Sequence, residues 1–161
     1  AAIDLGSAGA RFKDTYLSGG VYLGGTTSTN KLTDYEEGTF TPSIYGNSAT
    51  GSFSGSNQVG HYTKIGNTVN IWFDCDGTIS GASGSFMMGG LPFNSHSAVE
   101  AVGQFMFDNL NVSNNKTNFV FYLGGSTTVM QIFESADDAS WTTTQISNEQ
   151  VGIRGQLTYK V

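Results

Sequence analysis

The sequence is short of charge, cysteine and histidine, and each shortage removes a class of function. Charged residues make up 12% of the 161 positions, seven basic against thirteen acidic, for a formal net charge of −6. The basic residues Arg11, Lys13, Lys31, Lys64, Lys116, Arg154 and Lys160 are scattered. With no cluster to follow a phosphate backbone, nucleic acid is not expected as a partner. The single cysteine, Cys75, forbids an intrachain disulfide. Its place in an apolar strand face predicts a small buried hydrophobe rather than a nucleophile. His61 and His96 lack His-x-His or His-Glu-x-x-His spacing, so no metal site is expected. Gly-x-Ser-x-Gly, a phosphate loop and a dinucleotide fingerprint are all missing, so neither a cofactor nor a catalytic residue is expected. No apolar run is long enough to span a bilayer, and membrane insertion is not expected. The chain opens Ala1-Ala2-Ile3-Asp4 without a methionine and is expected to be a piece of something longer.

Aromatics and small turn-forming residues are abundant. Eleven Phe, seven Tyr and two Trp accompany 22 Gly. Disordered chains combine low hydrophobicity with high charge, and this composition has the opposite balance. It fits an all-β protein with many turns.

The clearest stretch is Val59–Asp76, VGHYTKIGNTVNIWFDCD. Val69, Ile71, Phe73 and Cys75 share one parity, while Asn70, Trp72, Asp74 and Asp76 share the other. Successive side chains of a strand point to opposite faces, so one face is apolar and the other mostly polar. Gly66-Asn67 supplies the tight reversal of a central hairpin. Around it, strands are expected at Thr39–Tyr45, Ser85–Met88, Val102–Asp108, Asn118–Leu123, Thr128–Phe133 and Gln150–Val161. Pro42 favours an edge position. Residues 46–57 and 77–84 read as loop and turn, and Leu32–Glu37 as one helical turn. Val102–Asp108 and Asn118–Leu123 are apolar on both faces, which predicts burial on both and hence a neighbouring subunit.

Residues 1–35 cannot bury their own apolar side chains. Ile3, Leu5, Phe12, Leu17, Val21 and Leu23 are separated by Gly and small polar residues, and Tyr16-Leu17-Ser18-Gly19-Gly20 is nearly repeated by Tyr22-Leu23-Gly24-Gly25. Short extended pieces of this kind bury apolar faces only against a neighbour, here expected to be the same segment of two other chains, with a flexible linker as the alternative.

GHYTKIGNTV (residues 60–69), preceded by DYEEGTFTPSI (34–44) and followed by GLPF (90–93), resembles the C-terminal, distal domains of bacteriophage tail fibres of the type common in marine phages. LGSAGARFKDTYLSGGVYLGG (5–25) resembles their stalk-to-head junction. The resemblance touches nearly the whole chain. It implies an antiparallel β-sandwich of jelly-roll type at 36–161 on a stalk segment at 1–35, assembled as a homotrimer. It also implies a virion protein that attaches to a host receptor, whether polysaccharide, lipopolysaccharide or outer-membrane protein. The alternatives are a glycan-depolymerising tailspike enzyme and a purely structural trimerisation cap.

Candidate contacts follow from chemistry. Trp141, Tyr45 and Phe53 lie in polar surroundings where an aromatic can stack on a sugar ring, and Asp137 and Asp138 stand near Trp141. Tyr45 and Phe53 can equally cover the core edge or a trimer seam. Asp74 and Asp76 have the spacing of a carboxylate pair, which any polar strand face provides, and solvated carboxylates are the expectation. Asp137, Asp138 and Glu134 lack the pattern of a dedicated calcium loop.

Overall fold

The computed structural model describes residues 5–161, and the chain divides into two units, Ala1–Asp34 and Tyr35–Val161. In the first, β1 (Val21–Tyr22) pairs antiparallel with β2 (Lys31–Leu32), and the 3-10 turn Ser28–Asn30 precedes β2. The Thr27 hydroxyl donates to Asn30 Oδ1 at 2.8 Å and ties that turn. The helical turn expected at Leu32–Glu37 is therefore corrected: strand begins again at Tyr35, where pairing with a neighbouring strand outweighs local preference. Leu5, Phe12, Tyr16, Leu17, Tyr22 and Leu23 are all exposed in the single chain. Ile3 lies outside the described residues.

The second unit holds β3 (Tyr35–Phe40), β4 (Ser43–Gly46), β5 (Ser52–Ile65), β6 (Thr68–Ser80), β7 (Phe86–Gly89), β8 (Ala101–Gly103), β9 (Phe105–Asp108), β10 (Asn118–Leu123), β11 (Met130–Ser135), β12 (Thr142–Thr143) and β13 (Gln150–Lys160). One sheet runs β3-β5-β6-β13-β9, and the other runs β4-β7-β11-β10-β8 with β12 beside β11. Every pairing is antiparallel. Hairpins β5–β6 and β10–β11 stay within one sheet, while β3–β4, β4–β5 and β8–β9 cross between sheets.

The β5–β6 ladder is centred on the predicted reversal. Gly66 takes φ +59° and Asn67 stays negative, the pattern of a type II′ turn that suits the strand twist. Asn67 also receives the end of the chain: Val161 N–H donates to its carbonyl at 3.0 Å and Lys160 Nζ to its side chain at 2.7 Å.

The core lies between the sheets. Val69, Ile71, Phe73 and Cys75 of β6 and Ile153, Leu157 and Tyr159 of β13 are buried against Ile44, Met88, Phe121, Leu123, Met130 and Ile132 of the other sheet. Rings interlock across the gap. Phe121 lies 5.4 Å from Phe73 and 4.3 Å from Phe105, and Phe107 lies 5.4 Å from Phe119. Each such side chain contributes about 1.5–3 kcal/mol on leaving water.

Other expectations change. Thr39–Tyr45 is two strands, broken at Pro42, which lacks a donor and carries the chain from the edge of one sheet to the edge of the other. Strand β5 begins at Ser52, inside the expected loop, because β6 runs on to Ser80 and gives it a partner; the reversal falls at Gly81. Val102–Asp108 divides at Gln104 into edge strands of opposite sheets. Val102 and Met106 are then 62% and 59% exposed, so burial on both faces is not achieved within the single chain. Gly103 explains the division. A Cβ there would fall 2.6 Å from the Gln156 carbonyl oxygen of β13, so only glycine lets the sheets close here.

Candidate functional site

The outer faces of the two sheets differ in chemistry. Across the β4 sheet, register aligns Tyr45, Met87, Gln131, Tyr122 and Val102 in one transverse row. A second row carries Thr143, Phe133 and Val120. Val102, Val120, Tyr122, Phe133 and Trp141 line a cleft of ≈ 390 Å³, with the rings of Tyr122 and Phe133 5.1 Å apart. Trp141 is 48% exposed. The Tyr122 hydroxyl donates to Glu100 Oε1 at 2.5 Å, and that bond to a carboxylate holds its pKa above the usual tyrosine value. The cleft is thus nearly all hydrocarbon and aromatic surface, with the Trp141 indole N–H as its remaining side-chain donor.

The other proposed contacts are not gathered there. Asp137 and Asp138 are exposed on the turn after β11, closed by Ala139 N–H on the Ala136 carbonyl at 3.3 Å. Glu134, considered with them as an oxygen ligand, faces the interior at 1% exposure. Its Oε2 accepts from Ser113 N–H and the Thr144 hydroxyl, both at 3.2 Å. Its β11 parity makes it a core residue, so it does not join that turn. Tyr45 is half-buried on β4 beside Gly89, and burial pushes its phenol up. Phe53 is not stranded in a loop: it sits in β5, in the opposite sheet, packed on Gly77 and against the core.

The outer face of the β5–β6–β13 sheet is mixed: exposed Val59, Ile65 and Met106 stand among a majority of polar and charged side chains. Arg154 of β13 is its hub, with Nη2 2.8 Å from Asp76 Oδ2, Nε 3.3 Å from Asp74 Oδ1 and Nη1 3.3 Å from Asp108 Oδ2. The Asp74/Asp76 pair therefore shares one guanidinium, which reaches Asp108 as well, and both carboxylates are engaged in ion pairs rather than facing an open groove. Cys75, between them in sequence, faces the core, and burial pushes its thiol up to about 12, with Asp76 and Asp74 adding to the shift. Among the described residues no group of three or more His, Cys, Asp or Glu is placed to hold a metal ion. Nor is any helix among them long and apolar enough to cross a membrane.

Next to this hub lies Trp72, which the sequence places beside the Asp74/Asp76 pair and whose other neighbours only the fold reveals. Trp72 is 49% exposed, in a cleft of ≈ 320 Å³ with Asn70, Gln104, Gln156 and Thr158, and Val102 of the neighbouring apolar cleft is also part of its lining. Its signal was present in the polar parity of β6, where an indole stands among Asn and Asp without a core to cover.

The fold of the second unit is all-β, with two antiparallel sheets. No protein-family profile matches the chain, and no curated protein matches it. Among solved structures, Dettilon tailspike protein (gp208) is similar over 78% of this chain and 24% of its own, with a TM-score of 0.58 and 16% identity. At that identity the likeness is one of fold. The chain spans about a quarter of the tailspike's length.

Proposed function

We propose that this chain is the distal part of a phage tail fibre, a virion protein that attaches the particle to its host through a surface receptor, with a glycan as the favoured class. The observation that carries this reading is the contrast between the two outer faces. A largely apolar face on one sheet needs a partner, and a mixed, charge-bearing face with a half-exposed indole on the other suits a hydrated receptor. The tailspike-like fold and the resemblance of residues 5–25, 34–44, 60–69 and 90–93 to tail-fibre sequences support the same assignment.

The homotrimer belongs to this proposal. The row Tyr45–Met87–Tyr122–Val102 and the Trp141 cleft are assigned to the seam between copies, where two-sided apolar strands acquire their second burial surface. The exposed apolar residues between Leu5 and Leu23 are assigned to the stalk in the same way. Trp141 is accordingly read as a seam residue. Asp137 and Asp138, exposed on the turn after β11, are kept only as proposed secondary receptor contacts, away from the charge-bearing sheet. The jelly-roll description fits the sheet-to-sheet crossovers, and the two hairpins that stay within one sheet depart from it. A depolymerising reading would need Asp74 and Asp76 as acid and base, and their pairing with Arg154 speaks against it.

The test is competition. Purified chain added to bacteria before the phage that carries it is expected to block adsorption in a dose-dependent way. Undiminished adsorption at saturating protein, with no cell-bound protein detected, would reject the reading.

A further inference from the structure

The β6 face around Trp72 has the chemistry of a sugar subsite. We propose that this cleft is where the receptor binds, with the Trp72 indole as stacking platform, and that its ligand is a neutral saccharide rather than an acidic one. The proposal rests on the receptor-binding reading and gives it a location.

Shape and polarity come first. A pyranose presents C–H groups on its faces and hydroxyls around its rim, so its sites pair an aromatic surface with short polar groups at the edge. Trp72 offers the surface. Cross-strand register puts Gln156 on one side of it and His61 on the other, and one step along the same face Asn70 pairs with Thr158. Thr158 donates to Asn70 Oδ1 at 2.6 Å, which fixes the amide and turns its NH₂ away from that bond. Among the described residues the side-chain amides of Gln104 and Gln156 take part in no hydrogen bond with the chain. Amides donate and accept, as a row of hydroxyls requires.

Charge then selects the ligand. Asp74, Asp76 and Asp108 face Arg154 on the same side of the sheet, three negative groups against one positive, while Lys160, farther along that face, is bonded to Asn67 Oδ1. The whole chain carries −6. A uronate, sialate or sulfated sugar brought to Trp72 meets a net negative field without a free guanidinium to receive it, whereas an uncharged sugar pays no such penalty.

The experiment uses the full 161-residue chain on a printed array of bacterial surface polysaccharides, neutral and acidic, beside a cell-binding assay on the host. Binding is expected on neutral members, with Trp72→Ala weakening it by about tenfold or more and Trp72→Phe keeping part of it. Gln156→Ala is expected to weaken it several-fold. Thermal unfolding of each variant is recorded alongside, since these side chains lie outside the core. Unchanged binding by a folded Trp72→Ala chain overturns the proposal, as does binding confined to acidic glycans. Cell binding without any glycan bound overturns the saccharide site and leaves the receptor reading standing. Loss of both cell and glycan binding removes the two together.

Discussion

Arg154 donates from Nη2 to both carboxylate oxygens of Asp76, at 3.1 and 2.8 Å, and so anchors β13 to β6 on the charge-bearing face. The same guanidinium reaches Asp74 and Asp108, so one cation gathers three anions from two flanking strands. Its replacement leaves like charges side by side. Arg154→Leu is predicted to lower stability by about 1–2 kcal/mol, with part of the loss recovered at 1 M salt as the repulsion is screened. Urea unfolding at low and high salt checks this; equal losses at both would contradict the electrostatic account.

Glu134 is held by the Ser113 N–H and the Thr144 hydroxyl beneath the loop that follows Leu110. Glu134→Ala leaves both donors without their acceptor, at a cost of about 1–3 kcal/mol, and opens space in the core. Glu134→Gln keeps an acceptor oxygen and is predicted to cost less. Equal unfolding midpoints for the two variants would refute the hydrogen-bond argument.

Stability is predicted to fall in alkali. Burial pushes both the Cys75 thiol and the Tyr159 hydroxyl up to about 12 from ordinary values of 9.0 and 10.0. The unfolded chain therefore loses these protons first, and the native state is favoured fully below pH 9 and progressively less as pH rises towards 12. Denaturant midpoints measured from pH 8 to 11 should decline, and Cys75→Ala should flatten the lower part of that decline. A midpoint constant across the range would contradict it.

Gly103 sets the closure of the sandwich at its β8 edge. Gly103→Ala puts a methyl 2.6 Å from a backbone oxygen that has no freedom to swing aside. The predicted loss is about 1–3 kcal/mol. Thermal unfolding is the check, and an unchanged melting temperature would mean that β8 shifts without cost.

The fold was legible where the sequence alternates. Val69, Ile71, Phe73 and Cys75 announced the core face of β6, and Val151, Ile153, Leu157 and Tyr159 that of β13. It was illegible where pairing is enforced from afar. Ser52–Asn57 carries Gly and Ser signals of a loop, yet β6 across the hairpin supplies its ladder, with a bulge between Gly55 and Asn57. The break at Gln104 depends on an approach between Gly103 and Gln156, far apart in the chain. At the candidate site, Trp141 drew notice because no strand period claimed it, and its cleft proved apolar. Trp72 was legible only as a member of the polar parity of β6 beside Asp74 and Asp76; that its ring opens a cleft with Gln104 and Gln156 depends on strands brought together from afar.

The central claim is a division of labour, with the apolar face joining copies of the chain and the charge-bearing face meeting the host. The most direct measurement is the solution mass of the 161-residue chain by light scattering, beside Val102→Asp. Val102 is exposed on the single chain, so the variant should fold while placing a charge in the seam. The account predicts about three times the 17.1 kDa chain mass for the wild type and a shift towards 17.1 kDa for the variant. A wild-type chain that stays at 17.1 kDa at high concentration would contradict it.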